Sequence, residues 1–290
     1  MICRICPRSC GAERTETMPG GVCRQTALPV AAKAMLHLWE EPCLVGEHGA
    51  GAVFFSGCNL RCCFCQNGSI SQAGVGKPLS VERLREIFWD LIRQGAACLD
   101  LVTPTHFTEA ILEALGDTDW GVPVVWNSGG YEKAETLRRL EGKVQVYLPD
   151  LKYALPEPAA AYSGAADYFD YAKEAIWEMF RQTGPYQMEE GQLRRGVLIR
   201  HLILPGELEN TRRVMDWVAE TFQPGDVLFS LMSQYTPQKG AVGKLARRVT
   251  KAEYRAMQED LANCGIVDGY TQERTSAREE YTPDFDLSGL

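Results

Sequence analysis

Three cysteines fall close together in the segment Gly57-Cys58-Asn59-Leu60-Arg61-Cys62-Cys63-Phe64-Cys65-Gln66-Asn67. The spacing Cys-x3-Cys-x2-Cys puts Cys58, Cys62 and Cys65 in one loop. Three thiolates in one loop can cap three irons of a cubane cluster and leave the fourth iron without a protein ligand. That open iron is where a small molecule could be chelated and receive an electron. A zinc knuckle completed by a distant ligand is the plainer alternative.

A second group, Cys3, Cys6, Cys10 and Cys23, has the spacing Cys-x2-Cys-x3-Cys-x12-Cys. Four thiolates can close a tetrahedral zinc site or hold an auxiliary iron–sulfur cluster, and the spacing does not choose between them. The segment around them is polar, so a bound metal would supply its folding energy. Cys43, Cys63, Cys98 and Cys264 lie outside both sets, making 11 cysteines in all. The first residues lack the apolar stretch of a secretion signal, so a cytoplasmic location is expected. In a reducing compartment such cysteines read as metal ligands rather than disulfides.

These loops need elements to position them. Ala52-Val53-Phe54-Phe55 reads as a strand just before Cys58. Ser80 reads as the N-cap of a helix ending near Gln94, with Val81, Leu84, Ile87, Phe88 and Leu91 on one face. Strands follow at 98–102, 122–126, 144–148, 197–204 and 227–232. Helices are expected at 107–115, 133–140, within 158–183, at 209–222 and at 251–264. Residues 34–39 read as a strand leading into this domain, and the last ~20 residues read as a polar tail. Strands alternating with helices imply a parallel sheet. Six such units suit an α/β fold of the partial (βα)6 barrel type, open rather than closed. The expected organisation is a small cysteine-rich extension over 1–45 and a barrel domain over 46–290.

In such folds chemistry gathers at the C-terminal ends of the strands. There the sequence places Thr103-Pro104-Thr105-His106, Asn127-Ser128-Gly129-Gly130, Asp150-Leu151-Lys152, Pro205-Gly206 and Gln234-Tyr235. His106 and His201 are single histidines that could equally be satisfied structural groups.

The cysteine loop resembles the signature of the radical S-adenosylmethionine (SAM) enzymes. "Gly-Cys-Asn-Leu-Arg-Cys" followed by "Cys-Gln-Asn" is similar to the branch of pyruvate formate-lyase activating enzymes and their homologues. The resemblance implies a [4Fe–4S] cluster on Cys58, Cys62 and Cys65. It implies SAM on the open iron, cleaved by one electron to a 5′-deoxyadenosyl radical. It also implies an electron donor such as flavodoxin or ferredoxin. By the same resemblance Phe64 lies along the adenine, Asp150 and Lys152 position SAM, and Arg200 grips its carboxylate. Asn127, Ser128 and Gly129 contact the ribose and amino acid part. Many members carry a Gly-Gly-Glu stretch after the second strand. Here Thr103 and Thr105 stand in its place, and their hydroxyls would replace its contacts.

The 290 residues carry a net charge of −8, with 45% hydrophobic and 23% charged residues. No basic stripe suits a phosphate backbone, so nucleic acid is not an expected partner. No run reaches the ~20 apolar residues of a membrane helix. Three functions fit this reading. One is activation of a glycyl radical enzyme by hydrogen abstraction from a protein partner. Another is radical modification of a small molecule or peptide. The third is a non-enzymatic iron–sulfur carrier, in which Asp150, Lys152 and Arg200 would point away from the open iron.

Overall fold

The structure is a computed structural model that describes residues 2–272 and 282–290. Its strands are β1 (Val30–His37), β2 (Ala50–Phe55), β3 (Lys77–Pro78), β4 (Leu99–Val102) and β5 (Val124–Ser128). They continue as β6 (Val146–Pro149), β7 (Gln187–Glu189), β8 (Gln192–Leu202), β9 (Leu228–Met232) and β10 (Gly269–Thr271). The helices are α1 (Pro42–Val45), α2 (Gly68–Ser71), α3 (Val81–Arg93), α4 (Thr108–Leu115) and α5 (Ala134–Leu137). After them come α6 (Pro156–Ser163), α7 (Tyr168–Thr183), α8 (Leu208–Thr221) and α9 (Lys251–Asn263).

Strands β2, β4, β5, β6, β8, β9 and β10 pair in parallel, each with the next. The first six are the strands expected from the apolar runs. The order β10-β9-β8-β6-β5-β4-β2-β1-β3 is linear, so the sheet curls without closing. It is a partial barrel.

Alternation along the strands builds two layers. Val53, Phe55, Leu99, Leu101, Trp126 and Val197 face outward and form one buried cluster with Leu84, Ile87, Phe88 and Leu91 of α3 and Ala172, Ile176 and Met179 of α7. Ala50, Cys98, Val125, Val146, Leu198 and Leu228 face inward and fill the narrow end of the barrel. Ser80 caps α3 as expected, its side chain accepting from the Arg83 amide.

Several elements differ from the sequence reading. The helical stretch within 158–183 is two helices, because Gly164 adopts a left-handed φ of 58° after α6. β1 is an antiparallel partner of β2, so the sheet already begins inside the stretch assigned to the extension. β10 adds a seventh parallel strand from Gly269-Tyr270-Thr271, which has no apolar run to announce it. The tail is polar in composition but partly docked. Leu287 donates to the Ala32 carbonyl at 3.0 Å and the Ala34 amide to Ser288 at 3.1 Å, while Phe285 packs edge-on against Phe54. Residues 273–281 of that tail lie outside the described residues.

Candidate active site

The cysteine loop leaves β2 through Ser56 and Gly57. Gly57 has φ 81°, and a Cβ there would stand 2.8 Å from the Cys23 carbonyl. The glycine thus permits the loop to press against the N-terminal segment. Each cysteine sulfur is met by a donor. The Leu60 amide points at Cys58 Sγ (3.4 Å), the Ser163 hydroxyl at Cys62 Sγ (3.0 Å) and the Ser71 hydroxyl at Cys65 Sγ (3.3 Å). Burial pushes all three thiols up, so free thiolates would be costly here. A bound metal reverses that balance by taking the proton's place. Donors aimed at all three sulfurs fit ligating thiolates.

Among the described residues, no three or more His, Cys, Asp or Glu side chains are grouped to hold a single ion. The loop cysteines fit a cubane in this respect, because its ligands cap separate corners and do not converge on one point. The N-terminal cysteines are gathered in one knuckle. Cys3 and Cys6 are buried and Cys10 is exposed. Among the described residues they are not drawn together around a single ion.

A cleft of about 690 Å³ opens beside the loop at the C-terminal ends of the parallel strands. Cys58, Cys62, Phe64, Cys65, Thr103, Asn127, Ser128, Gly129, Asp150, Lys152 and Arg200 all contribute to its wall. Phe64 stands edge-on to Tyr153, Tyr162 and Tyr235, which fixes its ring at the rim of the cysteine loop. Thr103 holds a strained φ of 60° and donates its amide to the Asn127 carbonyl at 2.8 Å. Such a conformation persists only where the surroundings impose it. Gln234 also lines the cleft, whereas Tyr235 is a core ring whose hydroxyl donates to Leu245.

The charges form one network on the inner face. Arg200 donates to Asp150 Oδ1 (3.0 Å), Glu40 Oε1 (2.8 Å) and Asn127 Oδ1 (2.7 Å). Lys152 pairs with the other oxygen of Asp150. Burial works to raise the Asp150 carboxyl, but the charges of Lys152 and Arg200 outweigh it and hold the group below its usual range. Burial likewise opposes the Lys152 charge, and Asp150 with the nearby sulfur of Cys62 more than restores it. Asp150 is therefore an anion between two cations, and Lys152 is a cation facing the cysteine loop.

Arg200 thus lies in the cleft wall, where the resemblance expects it. Its fork is spent on three protein acceptors, so it sets the shape of the wall and does not present a free bidentate grip. Thr105 and Ser128 turn their hydroxyls to one buried acid. Both hydroxyls donate to Glu132, at 2.9 and 2.6 Å, and Trp126 Nε1 donates to the same carboxylate at 2.9 Å. Glu132 lies buried on the outer side of the sheet. Thr105 therefore braces the strand ends and does not line the cleft, and Ser128 reaches it only without its hydroxyl.

Four acids were not anticipated: Glu40, Glu41, Asp100 and Glu132. Glu40 and Glu41 reach the cleft from the turn after β1. Burial pushes Glu41 up to about 7, with Arg200 pulling the other way. Asp100 is fully buried, and burial together with the adjacent Glu40 charge raises it well above the usual range.

His106 and His201 are structural. His106 Nε2 donates to the Ser56 carbonyl at 2.7 Å, and its Nδ1 is buried without a partner among the described residues. His201 Nδ1 donates to Leu151 at 2.6 Å, and its Nε2 faces the Thr211 hydroxyl at 3.0 Å. Burial holds them down to about 3 and about 4. In the unfolded chain a histidine titrates near ~6.5. Below that pH the unfolded state binds more protons, so stability present above it is lost as pH falls toward the folded values. The loss reaches about 1.4 kcal/mol per pH unit for each histidine. Urea unfolding of His201→Gln should show a shallower decline between pH 6 and 4 than the parent, and equal slopes would exclude this account.

No family model matches the chain. It is 31% identical over 263 residues to the uncharacterized protein MJ0674 of Methanocaldococcus jannaschii, covering 87% of this chain and 71% of that protein. Among solved structures it is similar to SuiB of Streptococcus suis, with a TM-score of 0.52 and 13% identity over 77% of this chain. SuiB bound to S-adenosylmethionine matches with a TM-score of 0.51 and 14% identity over 75% of this chain. The chain spans about half the length of these solved proteins, 48% in each case. The chain thus belongs to the family of M. jannaschii MJ0674 and has the open α/β barrel fold of the radical SAM enzymes.

Proposed function

We propose that the chain is a radical SAM enzyme, with a [4Fe–4S] cluster on Cys58, Cys62 and Cys65 and SAM in the adjoining cleft. One observation carries this reading: Asp150, Lys152 and Phe64 converge on the same cleft as the three cysteines. A plain electron carrier would have no use for that convergence. When bound, cluster and SAM together supply a reactive carbon radical that removes a hydrogen atom from the substrate. The chain's own residues would bind, orient and exclude water. Lys152 offers the charge for the SAM carboxylate, and Asp150 orients Lys152 or takes the amino group. Phe64 offers a face to the adenine, and Asn127 with the Gly129 backbone borders the ribose. Holding the reacting C–H bond in contact, in a dry site, is the remaining contribution.

Two substrate classes fit, and one observation leans toward the second. A protein partner, as for a glycyl radical activase, needs a groove that admits an inserted loop. Here Gln272, Thr282 and Pro283 of the C-terminal segment join the cleft wall. A cleft bordered by its own tail favours a small molecule or short peptide.

The test is anaerobic reconstitution with iron and sulfide, then dithionite and SAM, with 5′-deoxyadenosine and iron counted together. Deoxyadenosine with about four irons per chain supports the loop cluster with a different metal in the knuckle, and about eight would place a second cluster there. A loaded chain that neither binds nor cleaves SAM defeats the proposal. Lys152→Ala should weaken SAM binding by ~1–3 kcal/mol, the worth of a charge-assisted contact. Unaltered affinity by titration would remove Lys152 from the site.

A further inference from the structure

Besides the close approach at Gly57, one side chain, Arg8, ties the N-terminal knuckle to the cysteine loop by hydrogen bonds. Arg8 lies between Cys6 and Cys10. Its Nε donates to the Asn59 carbonyl (2.8 Å) and its Nη2 to the Leu60 carbonyl (3.2 Å), both within the loop that carries Cys58 and Cys62. The same guanidinium donates to the carbonyls of Ser163 (2.9 Å) and Gly164. Those two carbonyls close the end of α6. The last carbonyls of a helix have no partners within it, and a cation is favoured there. Tyr131 packs against the guanidinium, with 5.2 Å from Cζ to the ring centroid. Arg8 thus rivets three pieces together: knuckle, cysteine loop and helix end.

The residue at that helix end touches a cluster ligand. Ser163 is buried, and its hydroxyl lies 3.0 Å from Cys62 Sγ and 2.7 Å from Tyr153 Oη. A ligating thiolate can only accept. Ser163 must then give its hydrogen to the sulfur and take one from Tyr153. The direction of the chain Tyr153 to Ser163 to Cys62 is fixed by chemistry, and successive hydrogen bonds strengthen one another.

We propose that Ser163 tunes the reduction potential of the loop cluster through Cys62, and that Arg8 is the positioning residue that links this tuning to the N-terminal knuckle. The inference rests on the cluster reading above. A hydrogen bond to a cluster sulfur draws electron density from it and favours the reduced form, which carries more negative charge. Losing the bond therefore lowers the potential. The backbone hold by Arg8 keeps the hydroxyl at bonding distance, so a change in the knuckle reaches the cluster through Ser163 and Cys62.

The experiment is a redox titration of the reconstituted, iron-loaded protein followed by electron paramagnetic resonance, with iron counted for every variant. Ser163→Ala should load iron and titrate at a lower potential. A tenfold fall in the reduction constant corresponds to about 59 mV for a one-electron couple. Ser163→Thr, which keeps the hydroxyl, should restore the parent value. Arg8→Lys keeps the charge but loses the fork, and should lower the potential by less than Ser163→Ala at unchanged iron content. A parent protein that assembles no cluster defeats the cluster reading itself. A loaded Ser163→Ala with the parent potential overturns the tuning role, and an unshifted Arg8→Lys overturns the link. If Ser163→Ala fails to load iron, Tyr153→Phe, which removes only the donor to Ser163, is titrated in its place, and an unshifted potential there overturns the proposal.

Discussion

Replacing Cys62 with alanine should abolish SAM cleavage and strip the chain of the iron held by the loop. The expectation rests on where Cys62 sits. Of the three loop sulfurs, its hydrogen-bond donor comes from farthest along the chain, Ser163 on α6. Removing this thiolate leaves two ligands for a cubane that needs three, and no other cysteine can substitute. Cys63 is exposed, its amide is held by the Tyr162 carbonyl at 2.8 Å, and it does not join the other three residues of the run in the cleft wall. The change itself is small in volume and should leave the barrel intact, because Cys62 belongs to the rim of the core and not its centre. Iron content, visible absorbance and 5′-deoxyadenosine should fall together while the circular dichroism of the barrel stays. Full iron and unchanged cleavage would sink the cluster assignment. Lost iron from both loop and knuckle would mean the two sites assemble as one.

How much of this was legible in the sequence depended on distance along the chain. The three cysteines share one short loop, so spacing alone brought them together. Asp150 and Lys152 share a strand end, and the rule for parallel sheets placed that end beside the loop. The strands β2, β4, β5, β6, β8 and β9 were visible because each buries a continuous apolar run on both faces. The polar network was not visible, because its partners are remote. Arg200 meets Glu40 across 160 residues and Asn127 across 73. Asp100 did leave a signal: a lone acid between Leu99 and Leu101 in an apolar strand, where a charge is tolerated only with partners. The hydroxyl partners of Thr105 and Ser128 were hidden for one and the same reason. Both follow strand ends and could have faced the cleft, but buried Glu132 needs donors and takes their hydroxyls from the other side of the sheet. The edge strand β10 escaped notice for a different reason. Its residues are half-buried or exposed, and only pairing with β9 makes them a strand.

Arg200→Met should be the most destabilising single change in the cleft, by about 3–5 kcal/mol in urea unfolding, the range found when one partner of a buried ion pair is removed. Methionine fills much of the volume, so the loss is electrostatic. Glu40 and Asp150 are nearly buried, with side chains 10% and 18% exposed, and each would lose its guanidinium contact. Asn127 Oδ1 would lose its donor as well. Asp150 would keep Lys152, and Glu40 would keep the Asn127 amide at 3.0 Å and the Glu41 backbone amide at 3.1 Å, with no cation in direct contact. Arg200→Lys should fall between the two, since one ammonium cannot serve three acceptors that a planar fork reaches at once. Adding Glu40→Gln to Arg200→Met should recover part of the loss, because the neutral amide no longer needs a counter-charge. A strictly additive pair would show that the two groups are not coupled. SAM affinity separates wall from grip. If Arg200 acts by holding Asp150, and Asp150 by holding Lys152, then Arg200→Met and Lys152→Ala should share their effect on affinity and not sum. Summed losses would mean that Arg200 touches SAM directly, and that its fork opens when SAM enters.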